Sequence, residues 1–207
     1  MSLSPYQWMV SYVSQAKGYR LIQQAVGSPR LWQFLYQTHI QPLAPIKILD
    51  LGCGPADILQ YLPSTTEYLG VDENESYLNY AAKKHPTAHF EYGRIEDLRT
   101  EWNGQFDMVL LLGVLHHCSQ EKVKNILSLA KQYLKSGGVL LHLDGCIHPE
   151  AGWLETMLYR WDRGVYIRNE SGYAKLLNEQ FQQNMISCKD DLLKLPYRYC
   201  IGKGYQP

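Results

Sequence analysis

The stretch ILDLGCGPADILQYL, residues 48–62, runs from an apolar segment ending in an acid into a glycine-rich loop and then resumes helical spacing. Similar short apolar runs follow at residues 67–72, 88–92, 106–112 and 138–144. The segments between them carry apolar residues at helical intervals. Strands that alternate with helices predict an α/β fold with a doubly wound, mostly parallel sheet and right-handed crossovers.

The two ends of the chain differ from this alternating pattern. Residues 1–45 repeat apolar side chains at helical spacing, and Ser28 with Pro29 predicts the cap and first turn of a second helix. After residue 144, helices are predicted near 153–161 and 171–181. Two final extended segments are joined by a short link, which favours antiparallel pairing at the sheet edge.

We therefore expect one domain over residues 1–207, because no linker interrupts the pattern. Its parts are an N-terminal helical lid (1–45), a ligand-binding core (46–144) and a substrate-side region of helices and antiparallel edge strands (145–207). The sequence does not indicate an oligomeric state.

Composition limits the classes of function. The 207 residues include 20 basic and 20 acidic side chains, so the chain lacks the charge of a general nucleic-acid binder. Five cysteines without C-x-x-C spacing argue for reduced thiols in a cytoplasm and against disulfides or zinc. Because neither a signal peptide nor a long apolar run is present, we expect a soluble protein with no membrane partner.

The glycine loop predicts a ligand at the carboxyl ends of the strands, where open α/β sheets bind ligands. Gly52 and Gly54 would let backbone amides approach the ligand, at the N-terminus of a helix that Pro55 begins. Asp57 stands where the dinucleotide fingerprint needs its third small residue. A carboxylate there would face a pyrophosphate, so a nicotinamide or flavin cofactor is the weaker alternative.

These residues resemble the glycine motif of class I S-adenosylmethionine-dependent methyltransferases, acid-x-Gly-x-Gly-x-Gly. Asp50, Gly52 and Gly54 match it, Cys53 lies within the loop, and Ala56 replaces the third glycine. The resemblance implies a seven-stranded Rossmann-like fold and S-adenosylmethionine as the cofactor. If residue 56 needs a left-handed backbone, alanine costs about 1–2 kcal/mol; if it needs only a small side chain, alanine is adequate.

The resemblance also implies where the rest of the cofactor binds. Asp72, about 20 residues after the loop, would accept hydrogen bonds from the ribose hydroxyls. Arg94 and Ile95 occupy the family's third position, where the usual acid is missing, and Ile95 would meet the adenine edge through its amide. Leu112 ends the strand that leads to the loop over the methyl donor.

Several polar residues are candidates for the acceptor side. His117 could be a general base or a structural histidine at a helix entry, and His116 a substrate contact. Asp144 could face substrate at its strand end. His142, Asp144 and His148 suggest a metal, but no fourth ligand has suitable spacing, so we predict no metal.

A cationic segment follows the fifth strand. Arg163 and Arg168 flank Tyr166, and two guanidinium groups beside a ring could bind a carboxylate or phosphate of the acceptor. The alternative is surface ion pairing, worth only about 0–1 kcal/mol for each pair.

The resemblance predicts methyl transfer to a small-molecule acceptor by direct displacement. The fourth strand lacks the Asn/Asp-Pro-Pro-Tyr motif of amino-group methyltransferases that act on DNA and some proteins, so nucleic acid is not the expected partner. Two alternatives stay open: an oxidoreductase with a nucleotide cofactor, and a methyltransferase-like binding or interaction module without activity.

Overall fold

A computed structural model describes residues 28–43, 46–161 and 164–207. The predicted helix near residues 8–16 and the predicted site residue Arg163 lie outside these ranges. The strands, in chain order, are β1 (Lys47–Leu51), β2 (Glu67–Asp72), β3 (His89–Tyr92), β4 (Phe106–Leu112), β5 (Leu134–Gly145), β6 (Gln183–Lys189) and β7 (Tyr199–Tyr205).

Five α-helices are found in the described part of the chain. They are α1 (Ser28–Leu35), α2 (Glu75–Lys84), α3 (Gln120–Tyr133), α4 (Trp153–Trp161) and α5 (Glu170–Asn178). A π-helical turn (Tyr36–Ile40) and a 3-10 turn (Gln41–Leu43) continue α1. None of the described helices is long and apolar enough to cross a membrane.

The strands form one sheet in the order β3-β2-β1-β4-β5-β7-β6. β1 pairs in parallel with both β2 and β4, so the chain reverses direction across the sheet at β1. β1 and β4 are almost entirely buried, as expected of central strands that are covered on both faces. The doubly wound, mostly parallel sheet is confirmed.

The final hairpin lies at the sheet edge as predicted, but its strand directions refine the prediction. β7 pairs antiparallel with both β5 and β6, so β6 is the edge strand and runs in the parallel direction. Burial explains this order: most residues of β7 are buried, whereas β6 contains no buried residue. The more apolar strand lies inside and the more polar strand lies at the edge.

Apolar side chains fill both faces of the sheet. On one face, Leu49 and Leu51 of β1 pack in a cluster with residues of α3 and α5. On the other, Ile48 packs in a cluster with residues of α1 and with Ala81 of α2. This alternation along β1 has the period of two that a strand requires.

Side-chain caps fix where three helices begin. Asn74 accepts from the amides of Ser76 and Tyr77 before α2. Ser119 and Asn169 cap α3 and α5 in the same way. Each such cap typically contributes about 1 kcal/mol. Asn74 and Ser119 thereby hold α2 and α3 beside the carboxyl ends of β2 and β4.

Candidate functional site

The loop after β1 folds over the carboxyl end of β2. The amides of Gly52 and Cys53 both donate to the carbonyl of Val71, over 2.8 and 3.0 Å. Gly52 has a φ of +75°, and a Cβ there would lie 2.7 Å from Val114 Cγ2. Glycine is needed at position 52 for its conformation and for space. These two amides are used within the protein, so they are not the amides of the loop that would donate to a ligand.

Ala56 resolves the two alternatives for the missing third glycine. Its φ and ψ are 54° and 45°, in the left-handed region. It is completely buried and packs in the same cluster as Ile48. The strain of about 1–2 kcal/mol is thus partly offset by burial of the methyl group.

The same conformation changes the structure after the loop. A left-handed residue cannot continue an α-helix, so the helix predicted from Pro55 does not form. A 3-10 helix of four residues, Asp57–Gln60, takes its place. Asp57 is buried, with its Oδ1 3.5 Å from Lys84 Nζ. Because this carboxylate has a cation beside it, it disfavours a phosphate less than we predicted.

Asp50 is a buried carboxylate with one unpartnered oxygen. Tyr68 donates its hydroxyl to Oδ2 over 2.7 Å. Oδ1 has no hydrogen-bond partner in the described part of the chain. Burial raises the pKa of Asp50 to about 7, against the effect of the Tyr68 hydrogen bond and with a further rise from Asp72. A buried acceptor without a partner costs about 1–3 kcal/mol, so Oδ1 is suited to a donor from a ligand.

Asp72 is held at the end of β2 by two backbone amides. Gly54 donates to Oδ2 and Asn74 donates to Oδ1, both over 2.8 Å. Each carboxylate oxygen can accept a second hydrogen bond. Burial raises the pKa of Asp72, although both amides act in the opposite direction. The side chain is therefore fixed in position with acceptor capacity remaining.

Cys53 lies between these two acids. Burial raises its pKa, and the charges of Asp50 and Asp72 raise it further. The thiol therefore stays protonated at neutral pH. The structure therefore supports a packed side chain at Cys53 and not a reactive thiolate.

The predicted adenine contact, Arg94 and Ile95, lies beside Asp72. Gly93 donates its amide to the Asp72 carbonyl over 3.1 Å, which places Arg94 and Ile95 just after the end of β3. Arg94 is exposed, with its Nε 4.0 Å from Glu96. The neighbouring acid Glu96 pairs with Lys122 over 2.9 Å. Leu112 packs against the cluster that contains Ile48.

Asp144 joins two histidines beneath the site. Its Oδ1 lies 2.8 Å from His116 Nδ1 and accepts the His116 backbone amide, and its Oδ2 lies 3.2 Å from His142 Nδ1. Asp144 and His142 are completely buried. Burial alone would raise the pKa of Asp144, but the hydrogen bonds from both histidines lower it below its usual value. Asp144 is buried too deeply to face substrate as we predicted, because its oxygens hold these imidazoles.

The two adjacent histidines have different environments. His116 is 7% exposed, and Gly164 packs so closely on its ring that a Cβ there would collide with it. His117 is exposed, and its ring centroid lies 4.0 Å from that of His116. His116, the predicted substrate contact, is thus covered, and His117, the predicted base, lies at the surface.

Arg168 does not have the arrangement predicted for binding an anion. Its guanidinium donates to the carbonyls of Leu115, Cys118 and Tyr166, over 2.7 to 3.0 Å. These bonds hold the segment after α4 against the loop after β4. Tyr166 is 45% exposed, and its amide donates to the His116 carbonyl. Arg168 therefore links two segments of the protein, and this structural role explains its position better than a contact with the acceptor does.

A second ionisable pair, His148 and Glu155, lies beside a cavity next to the segment after α4. His148 Nε2 lies 3.1 and 3.2 Å from the two carboxylate oxygens of Glu155. Tyr159 also donates to Glu155, which is 8% exposed. His148, Tyr159 and Arg160 line a cavity of about 350 Å³ between α4 and residues 164–167. Sequence reasoning weighed His148 only as a metal ligand and missed Glu155, which is seven residues away.

A larger cavity, of about 600 Å³, lies elsewhere. Its lining includes Lys47, Glu67, His89 and Phe106, the first residues of β1 to β4. It therefore opens at the amino ends of the strands. Ligands of doubly wound sheets bind at the opposite, carboxyl ends, so this cavity is not part of the candidate site.

Comparison with known proteins agrees with this geometry. A family model described as a methyltransferase domain matches residues 48–138, the segment from β1 into β5. The matched segment identifies a methyltransferase domain of the class I S-adenosylmethionine-dependent type. An uncharacterized methyltransferase of Synechocystis, sll0829, is 29% identical over 150 residues, covering 72% of this chain and 67% of that protein.

Other relatives of this methyltransferase carry different names. A ubiquinone biosynthesis O-methyltransferase of Acinetobacter baylyi is 31% identical over 48% of this chain. A tRNA U34 carboxymethyltransferase of Hydrogenovibrio crunogenus is 30% identical over 69% of this chain. The matched segments span only 44% and 42% of those two proteins.

A solved structure shows the same fold along nearly the whole chain. A possible histamine N-methyltransferase of Thermotoga maritima superposes with a TM-score of 0.71, covering 96% of this methyltransferase and 100% of that chain. The identity is 15%, so this likeness concerns the fold alone.

The raised pKa of Asp50 predicts how stability depends on pH. The folded state keeps the Asp50 proton up to about pH 7, whereas the unfolded chain loses it near 3.8. Between these values the folded state binds more protons, so the stability contributed by this group is lost as pH rises. Asp50→Asn removes this loss and keeps an acceptor for Tyr68.

We expect the free energy of unfolding of Asp50→Asn, relative to wild type, to rise by a few kcal/mol from pH 4 to pH 7, since a tenfold change in proton affinity corresponds to about 1.4 kcal/mol. Urea denaturation at several pH values measures this difference. Asp191→Asn, at a carboxylate with 72% of its side chain exposed, is the control and should show little change. A difference for Asp50→Asn that is independent of pH would contradict the raised pKa.

Proposed function

We propose that this chain transfers the methyl group of S-adenosylmethionine to a small-molecule acceptor. The observation that carries the proposal is the position of Asp72 beside Asp50 at the carboxyl edge of the sheet. Asp72 is fixed by the amides of Gly54 and Asn74 and retains acceptor capacity. This is the arrangement expected for binding a pair of ribose hydroxyls.

The described residues fit the donor in charge and in hydrogen-bonding capacity. Asp72 would accept from the ribose hydroxyls. The unpartnered Oδ1 of Asp50 would accept from the ammonium group of the methionine part. Gly54 leaves room beside the loop, because a Cβ there would meet only Tyr77, at 4.0 Å. Ile95 and Leu112 would provide apolar surface for the adenine.

The bound cofactor supplies an activated methyl group on a cationic sulfur. The protein then has to place a nucleophile in line with that methyl group and exclude water. Asp144 contributes by fixing the loop after β4 through His116, and Arg168 holds the next segment against that loop. These contacts give the acceptor side a defined shape.

The acceptor side favours a small, partly apolar molecule. Its cavity of about 350 Å³ has the volume of a small-ligand site. Ile147, Trp153 and Val165 leave apolar surface exposed nearby, at 40%, 79% and 81%. With equal numbers of basic and acidic residues, the chain lacks the charge that usually accompanies binding to RNA. We also propose a cytoplasmic location, which the free cysteines of the described residues support.

His148 is our proposed general base for an acceptor that carries a proton. It lines the cavity, and Glu155 binds its Nε2 and orients the ring. A base whose ring is fixed by a carboxylate can take a proton through its other nitrogen. This assignment replaces His117, which lies at the surface next to His116.

The acceptor class can be tested by incubating the protein with methyl-labelled S-adenosylmethionine and two separate substrate pools. We expect label to enter a metabolite extract and to be absent from bulk tRNA freed of small molecules. Asp72→Ala is the control for activity of a contaminating protein and should abolish incorporation. Label that enters only the tRNA would contradict the proposed acceptor, and no incorporation into either pool would contradict the activity.

Once an acceptor with a protonated nucleophile is found, three variants test the base. His148→Gln should lower kcat by about 100-fold or more, the usual contribution of a general base, and leave donor affinity unchanged. Glu155→Gln should show a smaller decrease, because it disturbs only the orientation of the ring. His117→Gln is the matched surface control and should retain wild-type kcat. If His117→Gln loses activity and His148→Gln retains it, the assignment is reversed.

A further inference from the structure

Three of the five cysteines converge at the end of the sheet. Cys146 directly follows β5, while Cys188 of β6 and Cys200 of β7 are cross-strand partners. The three sulfur atoms all lie within 4.8 Å of one another. Cys53 and Cys118 are not part of this cysteine cluster.

We propose that the cysteine cluster binds a zinc ion, with Glu170 as the fourth ligand. A tetrahedral zinc ion with Zn–S bonds of about 2.3 Å holds its sulfur ligands ~3.8 Å apart. Cys146 Sγ and Cys188 Sγ are separated by 3.8 Å. This pair therefore has the sulfur spacing of a thiolate zinc site before any metal binds, and Cys200 Sγ lies within 4.8 Å of both.

Glu170 is the candidate for the remaining ligand position. Its Oε2 lies 3.3 Å from Cys188 Sγ, close to the ~3.6 Å expected between oxygen and sulfur ligands on one tetrahedral zinc ion. The group whose ligand atoms all lie within 4.8 Å of one another contains the three cysteines and not Glu170, so the Glu170 side chain has to rotate toward the other sulfurs when zinc binds. Glu170 is the first residue of α5, immediately after its cap Asn169, and its side chain is 55% exposed, which leaves room for this movement.

The charge around the cysteine cluster and the access to it from solvent are also suitable for binding zinc. Three thiolates and a carboxylate give a zinc site a net charge of −2, and the thiol protons pass to water on binding. Arg198 lies 3.9 Å from Glu170 Oε2 and offsets part of this charge. Cys146 and Cys200 are buried, whereas Cys188 is partly exposed. The ion can therefore enter beside Cys188.

With Glu170 bound, four protein ligands would leave no open position on the metal, so the site would be structural and not catalytic. It would link the end of β5, the β6–β7 hairpin and the start of α5. Cys146 is two residues from Asp144, which holds His116 and His142. The zinc ion would thereby stabilise the acceptor side of the sheet. This inference does not depend on methyl transfer.

We predicted no metal because His142, Asp144 and His148 lack a fourth ligand with suitable spacing, and no zinc because the cysteines lack C-x-x-C spacing. Short cysteine spacing is typical of zinc sites that are built from one or two short loops. Here the ligands come from three neighbouring strands and a helix, and strand pairing brings them together. The binding motif is therefore formed by the fold and not by local sequence.

The test measures metal binding to the full-length protein, without donor or acceptor. Reduced protein is freed of metal and loaded with zinc, excess zinc is removed, and the metal content is determined by mass spectrometry. We expect one zinc ion per chain for wild type and none for Cys188→Ser. Cys118→Ser, which removes a cysteine outside the cluster, should still bind one ion. Circular dichroism checks that the variants are folded.

Cobalt gives a second readout, because thiolate-to-cobalt charge transfer reports sulfur ligands in a tetrahedral site. We expect this absorption in wild type and in Cys118→Ser, and its loss in Cys188→Ser and Cys200→Ser. Glu170→Gln should weaken zinc binding by at least about 10-fold, since even outer-shell partners of a metal contribute 10- to 100-fold. Unchanged affinity would remove Glu170 from the ligand set. Wild type that binds no more zinc than Cys188→Ser, or a Cys146–Cys188 disulfide in freshly isolated protein, would overturn the site.

Discussion

The hydrogen bonds between the loop after β1 and the end of β2 determine the geometry of the donor side. Gly52 and Cys53 donate to the Val71 carbonyl, and Gly54 donates to the Asp72 carboxylate. The loop can make these contacts because Gly52 and Gly54 adopt positive φ values. The same bonds bring Asp72 close enough to Asp50 for its charge to raise the pKa of Asp50 further. The protein thus maintains two acids together, and burial raises the pKa of both.

Asp144 has a corresponding role beneath the loop after β4. It connects β5 to the loop after β4 through His116, and Arg168 connects that loop to the segment after α4. Buried polar groups of this kind are costly when they are left unpaired, and the two histidines pair both oxygens of Asp144. The loop after β4 and the segment after α4 are therefore positioned by side chains beneath them.

The sequence predicted well the features that depend on local pattern. Strands 67–72 and 106–112 match the structure residue for residue, since continuous apolar runs bounded by polar or glycine residues identify buried parallel strands. The sequence did not predict the features that depend on tertiary contacts. The helix after Pro55 is absent because Ala56 is left-handed and buried. Arg168 and Asp144 bind groups 28 to 53 residues away, and the cysteine cluster depends on the register of three strands. None of these pairings is visible before the sheet is built.

Calorimetric titration of S-adenosylmethionine into the protein directly measures donor binding at Asp72. We expect one binding site per chain, and an affinity at least about 10-fold lower for Asp72→Asn, because a hydrogen bond to a charged group contributes about 1.5–3 kcal/mol. Asp97→Asn, at an exposed acid after β3, should bind as wild type does, and equal melting temperatures would show that both variants are folded. An absence of binding, an unchanged affinity for Asp72→Asn, or tighter binding of a nicotinamide dinucleotide would contradict the account.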